Sequence, residues 1–282
     1  GPYCTQLLAD MGAEVIKIEK GRGDDTRYFG PWLGERSIYF NMLNRNKKSV
    51  EIDYRKPEGK ELLYDIVKKC DVLVENFRPG TLEKMGLGKE TLEKINPSII
   101  VTHVSGFGQT GPYKDRAAFD CIAQAMCGIM SLTGEVGEPP SMIGSVYLDY
   151  MGGTFAALAT VIALYERQKS GMGQEADIAM VDAGVSYSLF TTQAYRALGE
   201  VVGQLGNRDR ALSPANTFRG KDGKYVYIHA GSDKLFEIFC KKIGREDLLQ
   251  KISLNTARRE WQIRKRWSGS ARNGSMTTRQ LK

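Results

Sequence analysis

The sequence predicts an α/β protein: a large domain built on a doubly wound, open parallel sheet, followed by the start of a small α+β domain. Two observations predict this. Short apolar strands alternate with helical segments over the first two hundred residues, the pattern of a parallel sheet covered on both faces. Then, beyond a stretch rich in Gly, Asn and Arg, Lys224–His229 alternates cleanly after an Asp222-Gly223 turn and opens a second, smaller domain.

Each element has its own reason. Residues 1–12 read as a helix closed by Gly12, and Ala13–Glu19 then alternates as a strand. Ser49–Asp53 is a short strand, and Pro57–Lys69 is a helix with Pro at its first turn. Asp71–Glu75 is a strand, Gly80–Met85 and Thr91–Ile95 are short helices, and Ser98–Ser105 is a buried strand. Asp120–Leu132 and Gly152–Lys169 are helices, Gln174–Ile178 is a strand, and Val181–Leu198 is helical. Lys234–Lys242 follows the last strand as a helix. The large domain therefore spans 1–198, a linker 199–217, and a partial small domain 218–250. Residues 251–282 are expected to be a basic, disordered tail outside the fold. A helix at residue 1 with no strand before it suggests a missing N-terminal piece.

Bulk properties exclude several function classes. The 282 residues are 41% hydrophobic, enough for a sizeable core, and no apolar run approaches the ~20 residues of a membrane helix. Five scattered cysteines without a CxxC pair give neither a zinc ribbon nor a disulfide framework. The two histidines, His103 and His229, lie in strand-like runs and read as structural, so metal or His-cluster chemistry is not expected. The net charge of +7 belongs to the tail: residues 251–282 hold nine Lys/Arg and one acid, Glu260, and the remainder has 31 basic against 32 acidic residues. A neutral body argues against nucleic acid as partner.

Three local features bear on chemistry. Asp149 stands where a short apolar segment meets Gly152 and Gly153, which could let a ligand approach the backbone; the plainer reading makes it a helix N-cap. Gly106-Phe-Gly108 and Gly111-Pro112 follow a strand, where open α/β sheets bind ligands, although a plain turn fits nearly as well. Arg22, Arg27, Arg36, Arg45, Lys47 and Lys48 cluster near the first strand's end and could hold phosphates, which suits a phosphorylated cofactor. Gly21-Arg-Gly23 lacks the third glycine of a dinucleotide fingerprint, and no Walker, GxSxG or HExxH motif is present.

Read in order, a series of blocks resembles the class III CoA-transferase family, which includes formyl-CoA, oxalate and carnitine CoA-transferases. They are LLADMGAEVIKIE (7–19), GDDTR (23–27), NRNKKSVEIDYRKPEGKE (44–61), DVLVENFRPG (71–80), VSGFGQTGPY (104–113), AFDCIAQAMCGIMSLTG (118–134), the Asp149 block, and SGMGQEADIAMVDA (170–183). The resemblance implies a Rossmann-like large domain and an interlocked homodimer. It implies a CoA thioester as substrate, with no prosthetic group and no metal, and small carboxylic acids as the other partner. It makes Asp149 the nucleophile, which carries acyl group and CoA in turn. By position it makes Arg27, Arg55, Asn76, Phe77 and Lys84 CoA contacts, and Tyr39 and Asp120 pocket residues beside Gly152 and Gly153.

The same resemblance implies succinyl-CoA as a donor, glutarate or hydroxymethylglutarate as acceptors, and a mitochondrial matrix location. The related α-methylacyl-CoA racemases carry His-Asp where this chain has Phe119-Asp120. Phe119 cannot move an α-proton, so transferase is favoured over racemase. Likeness to the family is expected to stop near Gln250, which leaves a catalytically inactive, truncated form as the other alternative.

Overall fold

The computed structural model describes residues 1–251; the expectation of a disordered tail falls outside the described residues. The chain opens with α1 (Pro2–Asp10), β1 (Val15–Glu19), a 3-10 turn (Asp25–Tyr28), β2 (Trp32–Leu33) and β3 (Arg36–Ser37). It continues with α2 (Ile38–Asn44), β4 (Lys47–Glu51), α3 (Pro57–Val67), β5 (Val72–Glu75), α4 (Thr81–Lys84) and α5 (Lys89–Ile95). Next come β6 (Ile100–Ser105), α6 (Asp120–Met126), α7 (Ile129–Leu132), α8 (Tyr147–Ser170) and β7 (Gln174–Ala179). After these are α9 (Met180–Tyr187), α10 (Leu189–Leu198), β8 (Ala215–Arg219), β9 (Tyr225–His229), α11 (Asp233–Lys242) and α12 (Asp247–Lys251).

The chain forms two units. The first comprises Gly1–Ser131 and Ser141–Val202; apart from the antiparallel hairpin β2-β3, its strands are parallel. They make two pieces: β1 with β4, Val15 opposite Lys47, and β5-β6-β7, with Val72 opposite Ile100 and Ile100 opposite Gln174. Strand β6 is the buried centre of the second piece, since Ile100 to Val104 are all buried. Its side chains alternate between two cores, as strand geometry requires. Val101 joins Leu63, Val67, Leu82, Leu87, Leu92 and Ile99 on the α3–α5 side. Val104 joins Cys4, Ala156 and Ala157 on the α1 and α8 side. Covering both faces with helices is what makes the arrangement doubly wound.

Polar groups inside this core are paired. Thr102 and Thr160 meet through their hydroxyls at 2.7 Å, and both are fully buried. His103 is structural, as expected: Nδ1 lies 2.6 Å from Glu75 Oε1, and Nε2 lies 3.9 Å from Glu175. Burial opposes charge on that ring, but Glu75 and the neighbouring acids outweigh it and hold the pKa above its ordinary value.

Several boundaries differ from the sequence reading for identifiable reasons. Helix α8 starts at Tyr147, not Gly152, because a tertiary cap extends it by a turn (described below). At 24 residues it is long and apolar enough, by length and composition, to cross a membrane, contrary to the expectation that no such run exists. In this fold it packs against α1, β6, β7 and α9. The helix expected over 120–132 is broken by Gly128, which adopts φ 85°. Helix α2 and the hairpin β2-β3 were not anticipated; their segments have no clear apolar period.

Among the described residues, the second unit comprises Leu132–Pro140 and 203–251. Strands β8 and β9 pair antiparallel, with Ala215 opposite His229. Helix α11 is capped by the Ser232 hydroxyl, which accepts from the Leu235 amide. Here the expected linker at 199–217 is corrected. Ala215 already begins β8, and Gln204 Nε2 donates to the carbonyls of Thr133 (2.8 Å) and Pro139 (3.1 Å). Its polar composition concealed a folded segment that draws 132–140 out of the large domain.

Candidate functional site

The site is built around the first turn of α8. A helix begins with backbone N–H groups that no earlier turn can accept. The residue at the cap position, Val146, has no side-chain acceptor. Asp120, at the start of α6, supplies one from outside. Its Oδ1 accepts the amides of Leu148 (2.6 Å) and Asp149 (3.2 Å). The Tyr147 amide turns back to the Ser145 carbonyl at 2.8 Å. The amides of Tyr147, Leu148 and Asp149 are therefore satisfied, which explains how a helix can start at Tyr147 without a local side-chain cap. Asp120 is buried, 6% exposed, and its Oδ2 takes Gln124 Nε2 at 2.5 Å.

Asp149 thus lies inside the first turn and is not the N-cap residue; that reading is corrected. Its side chain reaches solvent, and among the described residues no hydrogen bond or ion pair ties its carboxylate down. Burial, and then the negative charge of Asp120, push its carboxyl above the ordinary range. The N-terminal end of the helix dipole works the other way and favours the anion. Tyr39 lies in the same electrostatic neighbourhood: burial first, then Tyr150, Asp149 and Asp120, raise its phenol. Tyr150 stacks edge-on against Tyr3 at 4.9 Å, so aromatic rings wall this end of the helix.

Gly152 and Gly153 do a different job from the one expected of them. Both are buried. A Cβ on Gly153 would lie 2.9 Å from Tyr3 Cβ and 3.1 Å from the Cys4 amide nitrogen, and one on Gly152 would meet Met180 at 3.2 Å. The pair lets α1 and the start of α9 press against α8. The close approach is by the protein's own chain.

The other expected residues follow the parallel strands in sequence, at their carboxyl ends, where open α/β sheets bind ligands. Asn76 and Phe77 follow β5; both are exposed, and the Phe77 amide donates to Glu75 at 2.7 Å. Arg55 follows β4 and is held by Asp53, with Nε to Oδ1 at 2.7 Å. Lys84 is an exposed residue at the end of the short helix α4. Arg27 follows β1, but its guanidinium is spent on the buried Glu19, through contacts of 2.8 and 2.6 Å, and covers the Phe40 ring at 3.9 Å. Arg27 also lines a small hollow with Glu35, Arg36, Ser37, Phe40 and Asn41.

The basic cluster does not assemble into a phosphate cradle. Arg22 pairs with Asp25, Arg45 with Asp10 and Lys48 with Glu14. Lys47 points inward to the Pro2 carbonyl at 2.7 Å, and burial lowers its ammonium to about 8. Sequence reading missed Gln124 and Glu19, the two groups that hold Asp120 and Arg27. The only trace of Gln124 is its place one turn after Asp120 on an otherwise apolar helix.

Comparison with known proteins identifies the family. The family model for CoA-transferase family III matches residues 1–273, past Gln250, where the likeness was expected to stop. The succinyl-CoA–D-citramalate CoA-transferase of Chloroflexus aurantiacus is 43% identical over 250 residues, 88% of this chain and 62% of that protein. The succinyl-CoA:glutarate CoA-transferase of Mus musculus is 37% identical over 267 residues, 94% of this chain and 61% of that protein. Among solved structures, a CAIB/BAIF family protein from Brucella suis superposes with a TM-score of 0.80 at 38% identity, covering 88% of this chain and 67% of that one. The chain spans less than two thirds of the length of the curated relatives it matches first. With its parallel sheet, and with this match over most of its length, the chain belongs to CoA-transferase family III.

Proposed function

We propose that the chain, as part of a CoA-transferase, moves CoA from an acyl-CoA such as succinyl-CoA to a small carboxylic acid such as glutarate or hydroxymethylglutarate. The observation that carries this is an unpaired carboxylate, Asp149, held in the first turn of a long helix. In the proposed cycle Asp149 attacks the thioester carbonyl carbon, the C–S bond breaks, and a mixed anhydride and CoA thiolate form. The thiolate attacks the aspartyl carbonyl and expels the donor carboxylate, leaving CoA as a thioester on Asp149. The acceptor carboxylate attacks that thioester and the thiolate leaves; it then attacks the acceptor's acyl carbon and frees Asp149. Bonds made and broken balance, and no net proton moves. Covalent catalysis here divides one exchange into steps of similar energy.

Asn76, Phe77, Arg55 and Lys84 are proposed to meet the CoA moiety, and Tyr39 and Asp120 to shape the acyl end. Arg27, whose guanidinium Glu19 engages, is proposed to meet CoA as well. Phe119, 80% exposed beside Asp120, offers no proton acceptor, which keeps the racemase alternative disfavoured. A mitochondrial location belongs to the same proposal and rests on the mammalian relative.

The test is acyl exchange. The chain mixed with succinyl-CoA and glutarate should form glutaryl-CoA, and intact mass followed by peptide mapping should find CoA on Asp149. Turnover without an adduct would replace the covalent route by direct transfer, and absence of both product and adduct would sink the reading. Running hydroxymethylglutarate in parallel ranks the acceptors.

A homodimer is proposed for the complete protein. Leu158, Val161, Ile162 and Tyr165 on α8 are each more than half exposed, and α10 buries no residue at all. Such apolar surface is characteristic of a subunit contact. Light scattering of the complete protein should give twice the monomer mass; a monomer at micromolar concentration would contradict the proposal.

A further inference from the structure

We propose that Gln124 is a positioning residue for Asp149: it clamps the segment that leads into α8 and, through Asp120, fixes the turn that carries the carboxylate. This rests on the transferase reading given above.

Gln124 is fully buried on α6. Its carboxamide makes three bonds in two directions. Nε2 donates to Asp120 Oδ2 at 2.5 Å and to the Ser145 carbonyl at 3.1 Å, while Oε1 accepts the Ile143 amide at 2.9 Å. A backbone donor on one side and a backbone acceptor on the other determine the amide's orientation. Residues 141–146 lie outside helix and strand, and Gln124 ties two of them, Ile143 and Ser145, to α6. Asp120 transmits the constraint, because its other oxygen takes the Leu148 and Asp149 amides. Three N–H groups converge on Asp120, which leaves it an acceptor only, and its charge faces Asp149.

The chemistry explains why Gln stands here. Only an amide can donate to a carboxylate and a carbonyl and also accept from an N–H. Glu would set an oxygen against Asp120 and Ser145; Met would fill the space and satisfy none of the three. A buried network left partly satisfied loses its geometry before anything else. Displacing a reacting group by about 1 Å costs on the order of 100-fold in rate. The residues proposed above to meet CoA, by contrast, are not among the hydrogen-bond partners of Gln124.

The experiment compares the unmodified chain with Gln124→Met and Gln124→Glu. CoA affinity is read by calorimetry, and single-turnover formation of the CoA adduct from succinyl-CoA is followed against pH. With Gln124→Met the adduct rate should fall about 10- to 100-fold while CoA affinity stays within about threefold. With Gln124→Glu, added negative charge should move the pH midpoint of adduct formation upward by about half a unit or more. A residue that merely supports folding would move neither the rate-to-affinity split nor the midpoint. Folded variants that keep the wild-type rate and midpoint would overturn the proposal.

If neither variant folds, amide hydrogen exchange on the unmodified chain decides. First-turn amides ordinarily exchange freely, but the bracket requires those of Leu148 and Asp149 to be protected about 100-fold or more. Open-chain exchange rates there would overturn it. An unmodified chain that forms no adduct defeats the transferase reading and this inference with it. A reactive chain alongside unimpaired variants defeats this inference alone.

Discussion

Asp149→Ala is expected to reduce acyl exchange at least about 1,000-fold, some 4 kcal/mol of barrier, without loss of stability. The rate effect follows from removing the atom that bonds to the acyl carbon; no neighbour can replace it. Asp120 has its oxygens committed to Leu148, Asp149 and Gln124, and Tyr39 is held as a neutral phenol by burial and the surrounding acids. The stability effect has the opposite sign from that of most core changes. A carboxyl that titrates higher in the folded chain than in the unfolded one disfavours folding wherever it is ionised. Asp149 is such a group, through burial and Asp120.

The penalty is absent below the unfolded value of about 3.9, grows as pH rises towards the folded value, and then stays constant. Thermal melting at pH 7 should therefore find Asp149→Ala at least as stable as the parent, with the two converging in acid. Asp149→Glu keeps the charge but moves it by one methylene and should lose about 100-fold in rate. A variant that keeps the rate, or loses it only by unfolding, would remove Asp149 from the proposed cycle.

That prediction depends on how much of the site could be read from residues alone. Most strands and helices of the first unit are legible because they carry a strong local signal; α2 and the β2-β3 hairpin carry none. Ser98–Ser105 is rich in β-branched residues, and Pro57 marks a helix start. The start of α8 was not legible, because its cap comes from Asp120, 28 and 29 residues before the two amides it accepts. No local pattern can announce a tertiary cap. For the same reason Gly152 and Gly153 were misread as open to ligand: glycine marks close approach, but the sequence does not say of what. The basic cluster near β1 was misjudged because its acidic partners, Asp10, Glu14 and Glu19, are spread over other elements. The second unit was undercounted because Gln204 and 132–140 come together only in three dimensions.

The second large effect concerns one of those hidden partners. Arg27→Met is expected to destabilise the first unit by about 2–4 kcal/mol. Glu19 has a side chain only 4% exposed, and Arg27 meets it with two N–H groups. Removing the guanidinium leaves a buried carboxylate with the Ser49 hydroxyl at 2.6 Å and the Asp24 amide at 2.8 Å, and no counter-charge. Because the Arg27 side chain is 38% exposed, water screens part of the attraction, which argues for the lower half of that range. The acid limb supplies the sign test. Arg27, against the opposing effect of burial, holds the Glu19 carboxyl down to about 2. Its contribution is therefore present above the unfolded value of about 4.3 and lost as pH falls towards 2.

In Arg27→Met the desolvated carboxyl should titrate higher than in the unfolded chain, so the variant should gain stability relative to the parent on acidification. Denaturant melts at pH 7 and pH 4 measure this difference. Glu19→Gln and the double variant complete a cycle whose coupling should be about 2 kcal/mol; coupling below about 0.5 kcal/mol would dismiss the pair as a structural element. CoA affinity then separates the two roles of Arg27. Glu19→Gln frees the guanidinium, so if Arg27 also meets a phosphate, CoA should bind this variant as well as or better than the parent. Arg27→Met should bind it more weakly, with a shallower dependence on salt.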